Sequence, residues 1–168
     1  MKLIKLAVIS VVILFLLATG MGLLFPGTVV VSRAVDITAN KDSLLPYVQN
    51  LYGWQKWIVG MNTANTTLQS AYTGTLGKTQ VHITESPANK YVVTSVWNNQ
   101  EQGWQQNGTL SLIQQDTAQA TTVVHWQFVQ QLHWYPWERF GSMMNDKILG
   151  TMMEQNLHNL KKMVEQLP

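Results

Sequence analysis

The sequence contains no cysteine. That excludes disulfide scaffolds, thiol nucleophiles and cysteine-based zinc sites. Charge is also scarce, since Asp, Glu, Lys and Arg make up only 12% of the 168 residues. Gln, Asn and Thr supply much of the polarity instead. The formal net charge is +2, but Lys2 and Lys5 both precede the apolar N-terminal run. From Thr28 onward nine basic residues meet nine acidic ones. No basic stripe appears, which argues against nucleic acid as a partner. Paired carboxylates for acid/base work are not identifiable, and Ser142 lacks the G-x-S-x-G context of a nucleophile elbow. Gly74-x-x-Gly77 is not followed by a helix and reads as a turn, not a phosphate loop.

One long apolar run is present. Residues 6–25 read LAVISVVILFLLATGMGLLF, without a charge. A helix of this length spans about 30 Å, the thickness of a bilayer core. Two readings stand: an uncleaved single-pass anchor, or a signal peptide cut after Ala18-Thr19-Gly20. The run continues through Leu23, Leu24 and Phe25, which favours the anchor. Lys2 and Lys5 place the N-terminus in the cytoplasm and the rest outside it. The expected division is a membrane segment over 1–27 and one domain over 28–168. A chain of this size buries a core without disulfides.

After Pro26-Gly27, Val29, Val31, Val35 and Ile37 share one face of a first strand over 29–37. Asn40 opens a short helix to about Asn50, perturbed by Pro46. A second helical piece is expected over 54–59. Strands follow at about 67–73, 78–85, 90–98, 104–115 and 121–133, separated by short turn-forming breaks that suggest antiparallel hairpins. No proline interrupts residues 137–167. Met144, Ile148, Met152, Met153, Leu157, Leu160 and Val164 form part of an apolar stripe, which predicts one long amphipathic helix with Met144, Ile148 and Met152 facing the sheet. The fold class is α+β.

Four stretches in this order resemble the START-like superfamily, in particular its polyketide cyclase/dehydrase and lipid-transport (SRPBCC) branch. They are the opening strand VSRAVDITA over 31–39, the W-x-x-W of Trp54 and Trp57, the hairpin stretch ESPANK from Glu85 to Lys90, and the helix around MMNDKILG over 143–150. Pro46 and the short region between Met61 and Tyr72 depart from the pattern. The resemblance implies a helix-grip fold, in which a curved antiparallel sheet wraps around the long C-terminal helix. It also implies a cavity between the two for an apolar ligand. With the N-terminal segment, it implies a bacterial inner-membrane protein whose domain is periplasmic or extracytoplasmic.

If the inner strand faces line that cavity, its residues are Trp97, Trp104, Trp126 and Phe128 from the strands, and Met144, Ile148 and Met152 from the helix. The plainer alternative is ordinary core packing for the aromatics and methionines alike. Arg33 and Glu85 are candidate cavity polar groups or rim charges. His125 and His133 share a strand face but stand about 26 Å apart, too far for one metal ion. No metal and no cofactor is expected. The leading expectation is a membrane-anchored module that binds a small hydrophobic or amphipathic molecule, lipid being one candidate. The alternatives are a polyketide cyclase- or dehydratase-like enzyme with an acid/base pair such as Glu85 and His125, and an interaction scaffold with a filled core.

Overall fold

The computed structural model describes residues 2–85, 89–116, 120–142 and 144–166. A long helix α1 (Lys2–Leu23) comes first, then strand β1 (Thr28–Thr38) and two short helices, α2 (Lys41–Val48) and α3 (Leu51–Trp54). Six strands follow: β2 (Thr66–Leu68), β3 (Thr73–Leu76), β4 (Thr79–Glu85), β5 (Val92–Asn99), β6 (Trp104–Asp116) and β7 (Thr121–Gln131). Helices α4 (Pro136–Ser142) and α5 (Asn145–Glu165) close the chain. The strands form one antiparallel sheet in the order β1-β7-β6-β5-β4-β3-β2, so β1 crosses over to pair with the last strand. Period-two alternation decides which face is inner. Val31 and Ile37 of β1, Leu110 and Leu112 of β6, and Val124, Trp126 and Phe128 of β7 are buried, while Ser32, Asp36 and Ile113 point outward. Helix α5 lies on this face against β1.

Several boundaries differ from the sequence expectation, each for a local reason. The expected helix over 54–59 is one turn, starting earlier at Leu51. Asn50 caps it, its Oδ1 accepting from Gly53 N at 2.8 Å. The strand expected over 67–73 is two strands, β2 and β3. Gly74 is a strand residue and not a turn, paired with Leu68 and Val81; it is glycine because a Cβ there would meet Leu68 Cδ2 at 2.7 Å and Leu51 Cδ1 at 3.1 Å. The turn falls instead at Gly77, where φ is +58°.

The long C-terminal helix is two helices. Helix α4 packs against the end of α1: Phe140 meets Phe25 edge-on at 5.5 Å, and Arg139 Nη1 donates to Phe25 O at 2.7 Å. Ser142 Oγ turns back to Arg139 O at 2.7 Å, and Met144 N donates to Gly141 O, closing the end of α4 before α5 begins. Met143, Leu167 and residues 86–88 lie outside the described residues.

The face of α5 is also phased differently. Gly150, Met153, Asn156, Leu157, Leu160 and Val164 are buried. Met144, Ile148 and Met152 do not press on the sheet; they are 54%, 67% and 46% exposed. Arg33 fixes this phase. Its Nε meets Glu154 Oε1 at 2.6 Å and its Nη1 meets Asp146 Oδ1 at 3.1 Å. The guanidinium crosses the helix at Gly150, which lies midway between the two acids and has no Cβ to block it. Arg33 is therefore a helix clamp and not a cavity group. Asp146 and then Glu154 hold its pKa above the ordinary value.

The other end of α5 is tied by Glu165, whose Oε1 accepts from Thr38 N at 3.0 Å. That bond, aided by Lys161, holds the carboxyl below the ordinary glutamate range. A depressed pKa adds stability above the unfolded value, and the contribution is lost as pH falls through the folded one. Glu165→Gln is expected to lower stability at neutral pH, where the carboxylate's contribution is present, and to leave strongly acidic pH little changed, so that the acid limb of the stability–pH profile becomes flatter. Thermal unfolding as a function of pH measures this. An unchanged acid limb counts against the tie.

Candidate functional site

Between α5 and the sheet lies a cavity of about 410 Å³. Strands β5, β6 and β7 supply Trp97, Trp104, Gln106, Trp126, Phe128 and Gln130. The segment after α3 supplies Ile58 and Val59, β3 and β4 supply Leu76 and Thr79, and α5 supplies Ile148, Leu149, Met152 and Asn156. The structure thus brings six of the expected lining residues together: Trp97, Trp104, Trp126, Phe128, Ile148 and Met152. Met144 is not among them. It lies one turn before Ile148, exposed, at the start of α5.

Of the α5 residues, Ile148, Met152 and Asn156 form an i, i+4, i+8 row. Along it exposure falls from 67% at Ile148 to 46% at Met152 and 0% at Asn156. Ile148 and Met152 therefore form the mouth, and Asn156 lies at the inner end.

The aromatic wall is held in place by bonds that the sequence does not announce. Trp97 stacks on Trp54 at 6.0 Å, and its Nε1 donates to Ser95 Oγ at 3.0 Å. Ser95 is buried on β5 and turns to Gly108 O of β6. Gly108 lacks a Cβ that would meet Ser95 Oγ at 2.5 Å and Phe128 Cε1 at 2.9 Å, so the Phe128 ring lies close over the sheet. Trp126 contacts Phe128 at 5.2 Å and Trp57 at 5.5 Å. Trp54 and Trp57 donate in turn to Val48 O and Tyr47 O. These contacts give the rings fixed positions.

Helix α5 is stitched to the segment after α3 by two asparagines. Asn156 Oδ1 accepts from Val59 N at 2.9 Å, and Asn159 Nδ2 donates to Trp57 O at 3.3 Å. Ser95, Gly108 and Asn156 escaped sequence reasoning. The one available signal was Asn156, a polar residue set in an otherwise apolar helical stripe.

No described residue lining the cavity is charged. His125 is on the opposite sheet face, with Nε2 2.7 Å from Ser32 Oγ. His133 pairs with Glu138 at 3.1 Å. The Glu85 side chain lies outside the described residues. Among the described residues no cluster of three His, Asp or Glu side chains forms a metal site. A second hollow of about 590 Å³, lined by Gln102, Gln105, Asn107, Gln131, His133 and Glu138 among others, is polar and lies away from α5.

A seven-stranded antiparallel sheet carrying a long C-terminal helix, with β1 paired to the last strand and two short helices after it, is the helix-grip fold of START-like proteins. The chain superposes on a START superfamily protein from Mycobacterium smegmatis with a TM-score of 0.61 at 15% identity, over 83% of this chain and 99% of that one. Norcoclaurine synthase from Thalictrum flavum, in complex with dopamine and hydroxybenzaldehyde, gives 0.62 at 9% identity over 84% and 88%. A di-domain ARO/CYC protein gives 0.60 at 12% identity, over 84% of this chain and 52% of that one. No protein-family model matches the chain, and no curated protein matches it in sequence. At these identities the likeness establishes the fold.

Proposed function

We propose that this protein is a membrane-tethered module that binds a small hydrophobic or amphipathic molecule between α5 and the sheet. One observation carries the reading: a cavity with an apolar, aromatic wall and a few polar groups, without a charge among its described lining. Its volume falls in the usual range of small-molecule sites, about 300–1,000 Å³. A ligand burying about 200 Å² of apolar surface would gain about 5 kcal/mol before the cost of association. Trp97, Trp104, Trp126 and Phe128 are the body-binding surface in this reading, and Ile148 and Met152 flank the entry. A lipid is one member of this ligand class. An acid/base enzyme would need a titratable pair beside the ligand, and the described lining offers none.

The tether is α1. It is 22 residues long, apolar enough to cross a membrane, and almost wholly uncovered by the rest of the chain. Around its C-terminal end Trp134 and Trp137 are exposed, with Tyr135 stacked on Trp137 at 4.9 Å. Pro136 between them lies so close to Gly22 that a Cβ on that glycine would meet Pro136 Cα at 3.2 Å. Tryptophan and tyrosine favour the level of lipid headgroups, where a ring meets apolar chains and its polar edge stays wet. In a bacterium this corresponds to the inner membrane with the domain outside the cytoplasm.

Native mass spectrometry of the full chain in amphipol is expected to show a co-purifying small molecule. The neutral apolar dye N-phenyl-1-naphthylamine is expected to raise the unfolding midpoint by several degrees. A chain that carries nothing and melts unchanged with the dye defeats the binding reading. For the tether, the full chain is expected to stay in the membrane pellet after alkaline carbonate washing, and release into the supernatant refutes it.

A further inference from the structure

Five tryptophans pack in or around the core, and four of their indole N–H groups have protein acceptors. Trp54 donates to Val48 O, Trp57 to Tyr47 O, Trp97 to Ser95 Oγ and Trp104 to Gln102 Oε1, at 2.7–3.0 Å. Trp126 is the exception. Its Nε1 is buried without a partner, and the residue is 1% exposed. One other buried side-chain nitrogen among the described residues shares that condition: Nδ2 of Asn156, a residue 0% exposed.

Both residues line the same cavity. The amide of Asn156 is not free to exchange its ends, because only its oxygen can accept the Val59 N–H. Its NH2 is thereby the end left without a partner. An unsatisfied buried donor costs about 1–3 kcal/mol, so two of them beside one cavity call for an acceptor.

Resting on the binding reading above, we propose that Trp126 Nε1–H and Asn156 Nδ2–H2 are the polar end of the ligand site. They take a neutral carbonyl-type oxygen, such as that of a ketone, ester or amide, on an otherwise apolar molecule. The neutrality follows from the lining. Two neutral donors satisfy a carbonyl oxygen, but no Lys, Arg or His among the described lining residues compensates a carboxylate or phosphate brought out of water. The position of Asn156 at the inner end of the α5 row puts the carbonyl inside and the apolar body toward Met152 and Ile148 at the mouth.

Three naphthalenes of near-equal size test this on the unaltered full chain in amphipol: 2-acetylnaphthalene, 2-ethylnaphthalene and 2-naphthoate. With 15N-tryptophan labelling, the seven tryptophans give separate indole signals, and loss of one in Trp126→Phe assigns Trp126. The acetyl compound is expected to move the Trp126 indole proton downfield and to bind at least about tenfold more tightly than the ethyl compound and the naphthoate, a factor of ten being one hydrogen bond's worth. Trp126→Phe also removes the indole donor while keeping an aromatic ring, and it is expected to erase most of the acetyl preference. Equal binding of acetyl and ethyl compounds with an unmoved Trp126 signal overturns the proposal and leaves the binding reading intact. Tighter binding of the naphthoate overturns the neutral-ligand part. If none of the three binds, both readings fall.

Discussion

Leu160→Asp is expected to prevent folding, whereas Ile148→Asp is expected to leave the fold intact and damage only the cavity mouth. Both residues are apolar and both lie on α5, but they differ completely in cover: Leu160 is 0% exposed and Ile148 is 67% exposed. An aspartate at 160 would bury a charge without a partner. Even the milder Leu160→Ala removes buried methyl groups, at about 2–5 kcal/mol. For a chain of this size that lowers the unfolding midpoint by roughly 10 °C. At position 148 the carboxylate reaches water, so the change in stability stays within about 0.5 kcal/mol. Its charge then stands beside the entrance, and affinity for an apolar ligand is expected to fall about tenfold, the equivalent of one lost contact of about 1.4 kcal/mol. Thermal melts of the three variants with and without N-phenyl-1-naphthylamine separate the two effects. A folded Leu160→Asp protein, or an unfolded Ile148→Asp protein, contradicts this phase of α5.

Gly53→Ala is expected to be nearly as damaging, although it adds a single methyl group. Gly53 lies in α3 where that helix crosses the end of α2. A Cβ there would collide with Pro46 O and come within 2.8 Å of the Tyr47 backbone. Backbone atoms do not swing aside as a side chain does, so the two helices must separate. Overpacking of this kind costs about 1–3 kcal/mol. The cost spreads, because Trp54 and Trp57 donate to Val48 O and Tyr47 O across the same junction, and Trp54 supports Trp97 in the cavity wall. Stability and ligand affinity should therefore fall together. Gly141→Ala is the matched control. It lies in helix α4 with nothing within 4 Å of the added carbon, and helix propensity favours Ala by about 1 kcal/mol. If the two variants melt alike, the close crossing of α2 and α3 is not what holds Gly53 in place.

Much of the fold could be read from the sequence because strand alternation is clean where one face is buried. Val124 to Phe128 alternate without interruption, Val29 to Ile37 alternate with Arg33 set among the apolar positions, and both reappear as paired strands β1 and β7. The small strands β2 and β3 are hard to separate in the sequence because Gly74 carries the composition of a turn while serving a close contact with Leu51 and Leu68. The phase of the helix is ambiguous in the sequence for a different reason. Residues 144, 148 and 152 make one apolar row, and 153, 157, 160 and 164 make another. Hydrophobicity marks both as apolar, but only packing decides which row the sheet covers. A cavity leaves its own lining uncovered, so the row at its mouth looks like core in a sequence and like surface in a structure. Asn156 and Ser95 show the converse: polar letters that suggest solvent, buried because each has a bond to make.

The join between α1 and the sheet has one more consequence. Four residues, 24–27, separate Leu23 from Thr28, and four residues fully extended reach at most about 14 Å. Arg139 and Phe140 hold even that short length against the helix end. If α1 spans a bilayer, the domain is a fixed post and not a ball on a string. It has no reach with which to ferry cargo across an aqueous gap. Any molecule it takes up must be delivered to it, either from the adjoining lipid surface or by a mobile carrier that docks on the membrane beside it.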